Sequence, residues 1–138
     1  MKKIHIALII SLFMAACSSD NNKEAIVGTW KLAETSTTME LKPEQKEKYE
    51  ESMGTLNNNL VFEFKGTGYY ERKFKKKKEF ARGTWSTNAD LSVLYLTPVR
   101  GTKPDSAMIE DIGGDKLALR YEKQDGTSTT YVFERDKK

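Results

Sequence analysis

The sequence predicts an all-β domain, an eight-stranded antiparallel up-and-down β-barrel with one short helix in its first loop. Three observations carry this prediction. From Ala25 onward, apolar and polar residues alternate with period two in short runs, the pattern of strands with one face in a core. Turn formers separate the runs, as in Gly66-Thr67-Gly68, Asn88-Ala89-Asp90, Gly113-Gly114-Asp115 and Asp125-Gly126. Links this short join antiparallel neighbours, and an up-and-down order of such length closes most naturally as a barrel, which removes exposed sheet edges. A sandwich is the competing architecture.

Residues 1–16 read as an export signal: Lys2 and Lys3, then the apolar run Ile4 to Met14 broken by His5 and Ser11, then Ala15-Ala16 ahead of Cys17. The run falls short of the roughly 20 apolar residues that a membrane-spanning helix needs. Met14-Ala15-Ala16-Cys17 resembles the lipobox of bacterial lipoproteins, in which the cysteine is acylated and becomes the mature N-terminus. The resemblance implies lipidation at Cys17 and a membrane anchor; stable anchoring takes two chains or more, at about 0.8 kcal/mol per buried CH₂. A secreted protein with an incidental cysteine is the alternative. Residues 17–24 are then the lipidated end and a polar tether, and residues 25–138 the domain. Ser18, rather than an acidic residue, follows the cysteine. By resemblance to lipoprotein sorting this implies the outer membrane, facing the periplasm, with the cell surface as the other destination.

The strands expected in order are Ile26 to Thr37, Asn59 to Lys65, Gly68 to Phe74, Glu79 to Ser86, Ser92 to Thr97, Ala107 to Ile112, Lys116 to Glu122 and Thr129 to Arg135. Alternation is clearest where Leu60, Phe62 and Phe64 oppose Glu63 and Lys65, and where Leu117, Leu119 and Tyr121 oppose Lys116, Arg120 and Glu122. Tyr131 and Phe133 continue it in the last strand. Phe62, Phe64, Tyr95, Leu119, Tyr121, Tyr131 and Phe133 are therefore the residues expected to line a ligand cavity, if the barrel has one. A barrel of this strand number sits where large side chains either fill the interior or surround a small ligand, and both readings stand. Pro43 to Met53 breaks the β pattern. Proline suits the first helical position, Glu44 meets the positive end of the helix, and Gly54 marks its stop. Tyr49, Met53 and Leu56 make a narrow apolar stripe, so the helix is either a cover over the barrel mouth or a surface insertion.

Composition removes several function classes. The single histidine, His5, and the single cysteine, Cys17, precede the domain. The domain thus has no residues for a Cys/His pair, a Ser-His-Asp triad, a Cys/His zinc site or a disulfide. No spacing marks a carboxylate pair either, so the expectation is a protein that is not an enzyme and carries no cofactor or metal. The formal charge is +3, and losing Lys2 and Lys3 from the 23 basic residues nearly balances the 20 acidic ones. A near-neutral, exported domain is not expected to bind nucleic acid.

Gly28-Thr29-Trp30 opens the first strand and recurs as Gly83-Thr84-Trp85. With Phe62-Glu63-Phe64, Leu94-Tyr95-Leu96-Thr97-Pro98 and the closing Tyr131-Val132-Phe133-Glu134-Arg135, this order resembles bacterial lipocalin-like lipoprotein domains and the calycin barrels. The resemblance implies a barrel floor plugged by the tryptophan of the G-x-W motif, with an arginine of the last strand packed across it. Gly28, Trp30 and Arg135 stand at those places, and Trp85 is given the same structural part by analogy. It also implies binding of a small hydrophobic or amphipathic ligand. The chain is shorter than typical secreted lipocalins, lacks their disulfide and shows no second lipocalin motif. The alternative function is an interaction module with a filled barrel that contacts an envelope protein through its loops. Lys75, Lys76, Lys77 and Lys78 are either a solvated hairpin tip or a contact for anionic head groups or an acidic partner.

Overall fold

A computed structural model describes residues 23–57, 59–76, 79–100 and 103–137. Cys17, the segment expected to be an export signal, Lys77 and Lys78 lie outside the described residues. The strands are β1 (Gly28–Thr37), β2 (Leu60–Phe64), β3 (Tyr69–Phe74), β4 (Glu79–Thr87), β5 (Val93–Pro98), β6 (Asp105–Gly113), β7 (Lys116–Glu122) and β8 (Ser128–Arg135), with helix α1 (Pro43–Leu56) between β1 and β2. Each strand pairs antiparallel with the next, and β8 closes on β1, so the sheet is a closed eight-stranded barrel.

Alternation does what period two requires. Leu60, Phe62 and Phe64 of β2 face inward, as do Leu117 and Leu119 of β7 and Phe133 of β8. Two bulges interrupt it, after Leu32 in β1 and after Ile109 in β6. Each adds one residue to one strand, which sharpens its bend and helps a short sheet curl shut. The core gathers at the end where β1 starts and β8 finishes: Trp30, Leu32, Phe64, Leu94, Leu117, Leu119 and Phe133 are all nearly or wholly buried. Each such side chain contributes roughly 1.5–3 kcal/mol by leaving water.

Boundaries differ from expectation where tertiary contacts override local pattern. Strand β1 starts at Gly28 rather than Ile26, because Ile26 belongs to a turn in which its amide donates to the Lys23 carbonyl at 3.2 Å. Strand β6 starts earlier than Ala107, since Asp105 pairs with Leu96 of β5. The helix runs through Gly54 to Leu56, whose side chain packs on the core. At its start the Lys42 amide donates to the Gln45 side chain at 3.2 Å. No residue of α1 is buried, so most of the helix is solvated.

The up-and-down order sorts the connections between two ends. The N-terminal turn, the β2–β3, β4–β5 and β6–β7 turns and the chain's end share the floor. The α1 segment, the β3–β4 hairpin, the β5–β6 loop and the β7–β8 turn share the mouth.

Candidate functional site

The floor is built around one ion–aromatic contact. Trp30 and Arg135 are register partners on β1 and β8, and the Arg135 guanidinium lies 4.3 Å from the centroid of the Trp30 ring. Such a contact contributes about 0.5–2 kcal/mol. The guanidinium also donates to the Val27 carbonyl at 2.9 Å and the Ala25 carbonyl at 3.0 Å, which ties the chain before β1 to the last strand. Trp30 Nε1 donates to the Ile26 carbonyl at 2.8 Å, so the ring is buried with its polar edge satisfied. Gly28 makes this possible: a Cβ there would sit 2.4 Å from Arg135 Nη1, and its φ of +139° favours glycine.

Trp85 holds the neighbouring sector. Its Nε1 donates to the Lys65 carbonyl at 2.9 Å, and its ring meets Phe64 edge-on at 5.7 Å between centroids. Gly83, two residues earlier, packs where β3, β4 and β5 converge. A Cβ there would lie 2.2 Å from the Thr97 carbonyl oxygen and 2.7 Å from the Tyr70 ring. The two G-x-W segments thus share a logic, a glycine that admits a close neighbour and a tryptophan that fills the space beyond.

Above the floor the barrel is not filled. A cavity of about 340 Å³ opens at the mouth, walled by Leu56, Leu60, Phe62, Phe74, Tyr121, Tyr131 and Phe133, with Arg72 and Asp105 at its polar side. Its volume lies at the small end of the ~300–1,000 Å³ typical of small-molecule sites. Phe62 marks the boundary between packed and open halves, stacked on Phe64 at 5.5 Å and edge-on to Phe133 at 5.5 Å. Tyr121 and Tyr131 meet edge to face at 5.6 Å. Burial pushes the Tyr121 phenol up, and Asp105 and Tyr131 add to the shift. Burial raises Tyr131 as well, so both phenols keep their protons at neutral pH. Burial raises Tyr49 of α1, with a further contribution from Tyr131, and its hydroxyl is buried without a hydrogen-bond partner among the described residues.

A second, larger basin of about 920 Å³ adjoins the cavity and shares Arg72 and Asp105 with it. It exists because the wall is incomplete. The last rung between β4 and β5 is Gly83 with Pro98, followed only by the Val99 amide donating to the Arg82 carbonyl at 3.0 Å. The start of β4 therefore pairs with β3 on one edge and, among the described residues, has no strand partner on the other.

The expected site residues fall into three groups. Phe62, Tyr121, Tyr131 and Phe133 meet at the cavity. Phe64 and Leu119 lie among the packed floor side chains instead, since their register positions are below the open half. Tyr95 corrects the expectation: it is 44% exposed on the outer face of β5, because Leu94 and Leu96 take the inner one. Lys75 and Lys76 are exposed at the mouth end, on the β3–β4 hairpin. Arg72, Phe74 and Asp105 were not anticipated as cavity residues, although Arg72 stands two residues from inward Tyr70 and shares its face. Among the described residues, no three His, Cys, Asp or Glu side chains converge as a metal site requires.

No family model matches this chain, and no curated protein is similar to it in sequence. Solved structures are similar in fold. A lipocalin-like protein from Bacteroides uniformis ATCC 8492 superposes with a TM-score of 0.54 at 14% identity, over 81% of this chain and 99% of that one. A DUF4847 family protein from Bacteroides vulgatus ATCC 8482 gives a TM-score of 0.54 at 14% identity, over 80% and 94% of the two chains. The closed barrel, with an aromatic floor and an open mouth, is lipocalin-like in fold.

Proposed function

We propose that this chain is a lipid-anchored protein of the bacterial envelope that binds a small hydrophobic or amphipathic molecule at the mouth of its barrel and catalyses no reaction. The observation that carries the reading is the aromatic-walled cavity of about 340 Å³ above a fully packed floor. A solid interaction module has no need to leave such a space, because close packing is what stabilises an interior. The fold it shares with a lipocalin-like protein supports the reading at the level of architecture. Anchoring, and delivery to the periplasmic side of the outer membrane, rest on Met14-Ala15-Ala16-Cys17 and the Ser18 that follows.

One experiment separates the two halves of the proposal. The chain is expressed with its own N-terminus in an exporting bacterium, extracted in mild detergent and weighed by native mass spectrometry before and after organic extraction. A covalent acyl mass that survives extraction and disappears with Cys17→Ser supports the anchor. A further mass that extraction removes supports the ligand. An unacylated, uncleaved chain contradicts the first half, and a single mass unchanged by extraction contradicts the second.

A further inference from the structure

Arg72 and Asp105, the charged walls of the cavity among the described residues, also line the larger basin beside it, so the two spaces adjoin at these side chains. Their linings differ in kind. The cavity wall is otherwise aliphatic and aromatic. Around the basin stand Arg72, Arg82, Arg100 and Lys103, against Asp105 as the one carboxylate among its lining residues. Arg82 is partly engaged, 4.0 Å from Glu71 and stacked over Phe80 at 4.4 Å. Arg72 is placed differently. It lies on the inward face of β3 between Tyr70 and Phe74, forms no ion pair among the described residues, and has its guanidinium 5.7 Å from the Phe74 ring. Arg72 is exposed although its backbone position is on the inner face, so its guanidinium stands open to a group arriving at the mouth.

We infer that the ligand is an anionic amphiphile, with its apolar part in the aromatic cavity and its carboxylate, phosphate or sulfate group at the basic basin, on Arg72 at the junction. This inference rests on the cavity being a binding site. The chemistry suits the walls on both sides. A planar guanidinium pairs with an oxyanion through two parallel N–H donors, which a hydroxyl or an ammonium head group does not match. The phenol of Tyr121, a neutral donor in the cavity wall, is near enough to feel the charges of Arg72 and Asp105. Asp105 repels an anion, and the surrounding cations outnumber it.

The test uses the full chain carrying Cys17→Ser and Nile red, an uncharged dye, as the bound reporter. Dodecanoate, dodecyl phosphate, dodecanol and dodecyltrimethylammonium are compared as competitors, each below its micelle concentration. Both anions are expected to displace the dye at concentrations about tenfold lower than dodecanol, a difference of ~1.4 kcal/mol. Arg72→Gln should remove most of that preference and leave dodecanol unchanged. The exposed Lys103→Gln should reduce it by a smaller factor, and serves if Arg72→Gln does not fold. Inorganic phosphate at millimolar concentration should leave the dye bound, and displacement by it alone would mean a free-anion site and overturn the inference. Equal displacement by dodecanol and dodecanoate would overturn the anionic head group and leave the cavity reading intact. Dye uptake unaffected by narrowing the cavity with Leu60→Trp would remove both.

Discussion

At the scale of single residues, the floor depends on side chains that occupy space left by a missing one. Arg135 lies over Trp30 because Gly28 has no Cβ, and the backbone there holds a φ of +139° that other residues adopt only with strain. Trp30→Ala is expected to lower stability by roughly 3–5 kcal/mol, as a large cavity would open in a packed region. Gly28→Ala should cost about 1–3 kcal/mol by displacing Arg135 and straining the turn. Denaturant unfolding of both variants checks this, and an unchanged midpoint for Trp30→Ala would contradict the structural role of the floor. The pairing of Trp30 with Arg135 was anticipated through the resemblance of Gly28-Thr29-Trp30 and a late arginine to the lipocalin pattern. The positions of Arg72 and Tyr95 were not legible. In Leu94-Tyr95-Leu96 three apolar residues run together, so period two cannot say which face is inside. Arg72 is a charge in a run of charges, and only the register of β3 reveals that it faces the interior with Tyr70 and Phe74.

At the scale of elements, the eight strands were legible to within a few residues, since alternation and glycine turns are local signals. What lay beyond reach depends on partners distant in sequence. The β4–β5 ladder stops at Gly83 and Pro98, and that early stop, rather than any residue's propensity, opens the wall beside the cavity. Gly83 holds the end of this ladder together. Its added Cβ would meet the backbone oxygen of Thr97, which cannot swing aside as a side chain can. Gly83→Ala is therefore expected to lower stability by about 1–3 kcal/mol and to part β4 from β5. Amide exchange should accelerate at Val99, whose N–H donates to the Arg82 carbonyl, while amides between β7 and β8 stay protected. Uniform acceleration over the whole barrel would contradict a local effect. The helix α1 touches the site through Leu56, and its long exposed face explains why its apolar stripe reads as thin.

At the scale of the whole molecule, one barrel performs two tasks at opposite ends. The floor is filled by Trp30, Phe64, Trp85 and their neighbours, which supplies stability, and the mouth is left open, walled by aromatic rings with Arg72 and Asp105 at the rim. The choice between a filled barrel and a hollow one, undecided by sequence, resolves as half of each, with Phe62 at the boundary. The charged β3–β4 hairpin and the basic basin lie at the same end as the cavity, which gives the molecule a polarity that its near-neutral composition conceals. The central claim is that the cavity at the mouth binds a ligand. Titration of the full Cys17→Ser chain with Nile red, beside the same chain carrying Leu60→Trp, tests it most directly. Leu60 lines the cavity, and an indole in its place intrudes into the space where a ligand would sit. Saturable, blue-shifted dye fluorescence that falls at least about tenfold in affinity with Leu60→Trp, in a variant that still unfolds cooperatively, is the predicted result. Equal dye binding by both chains, or none by either, would contradict it.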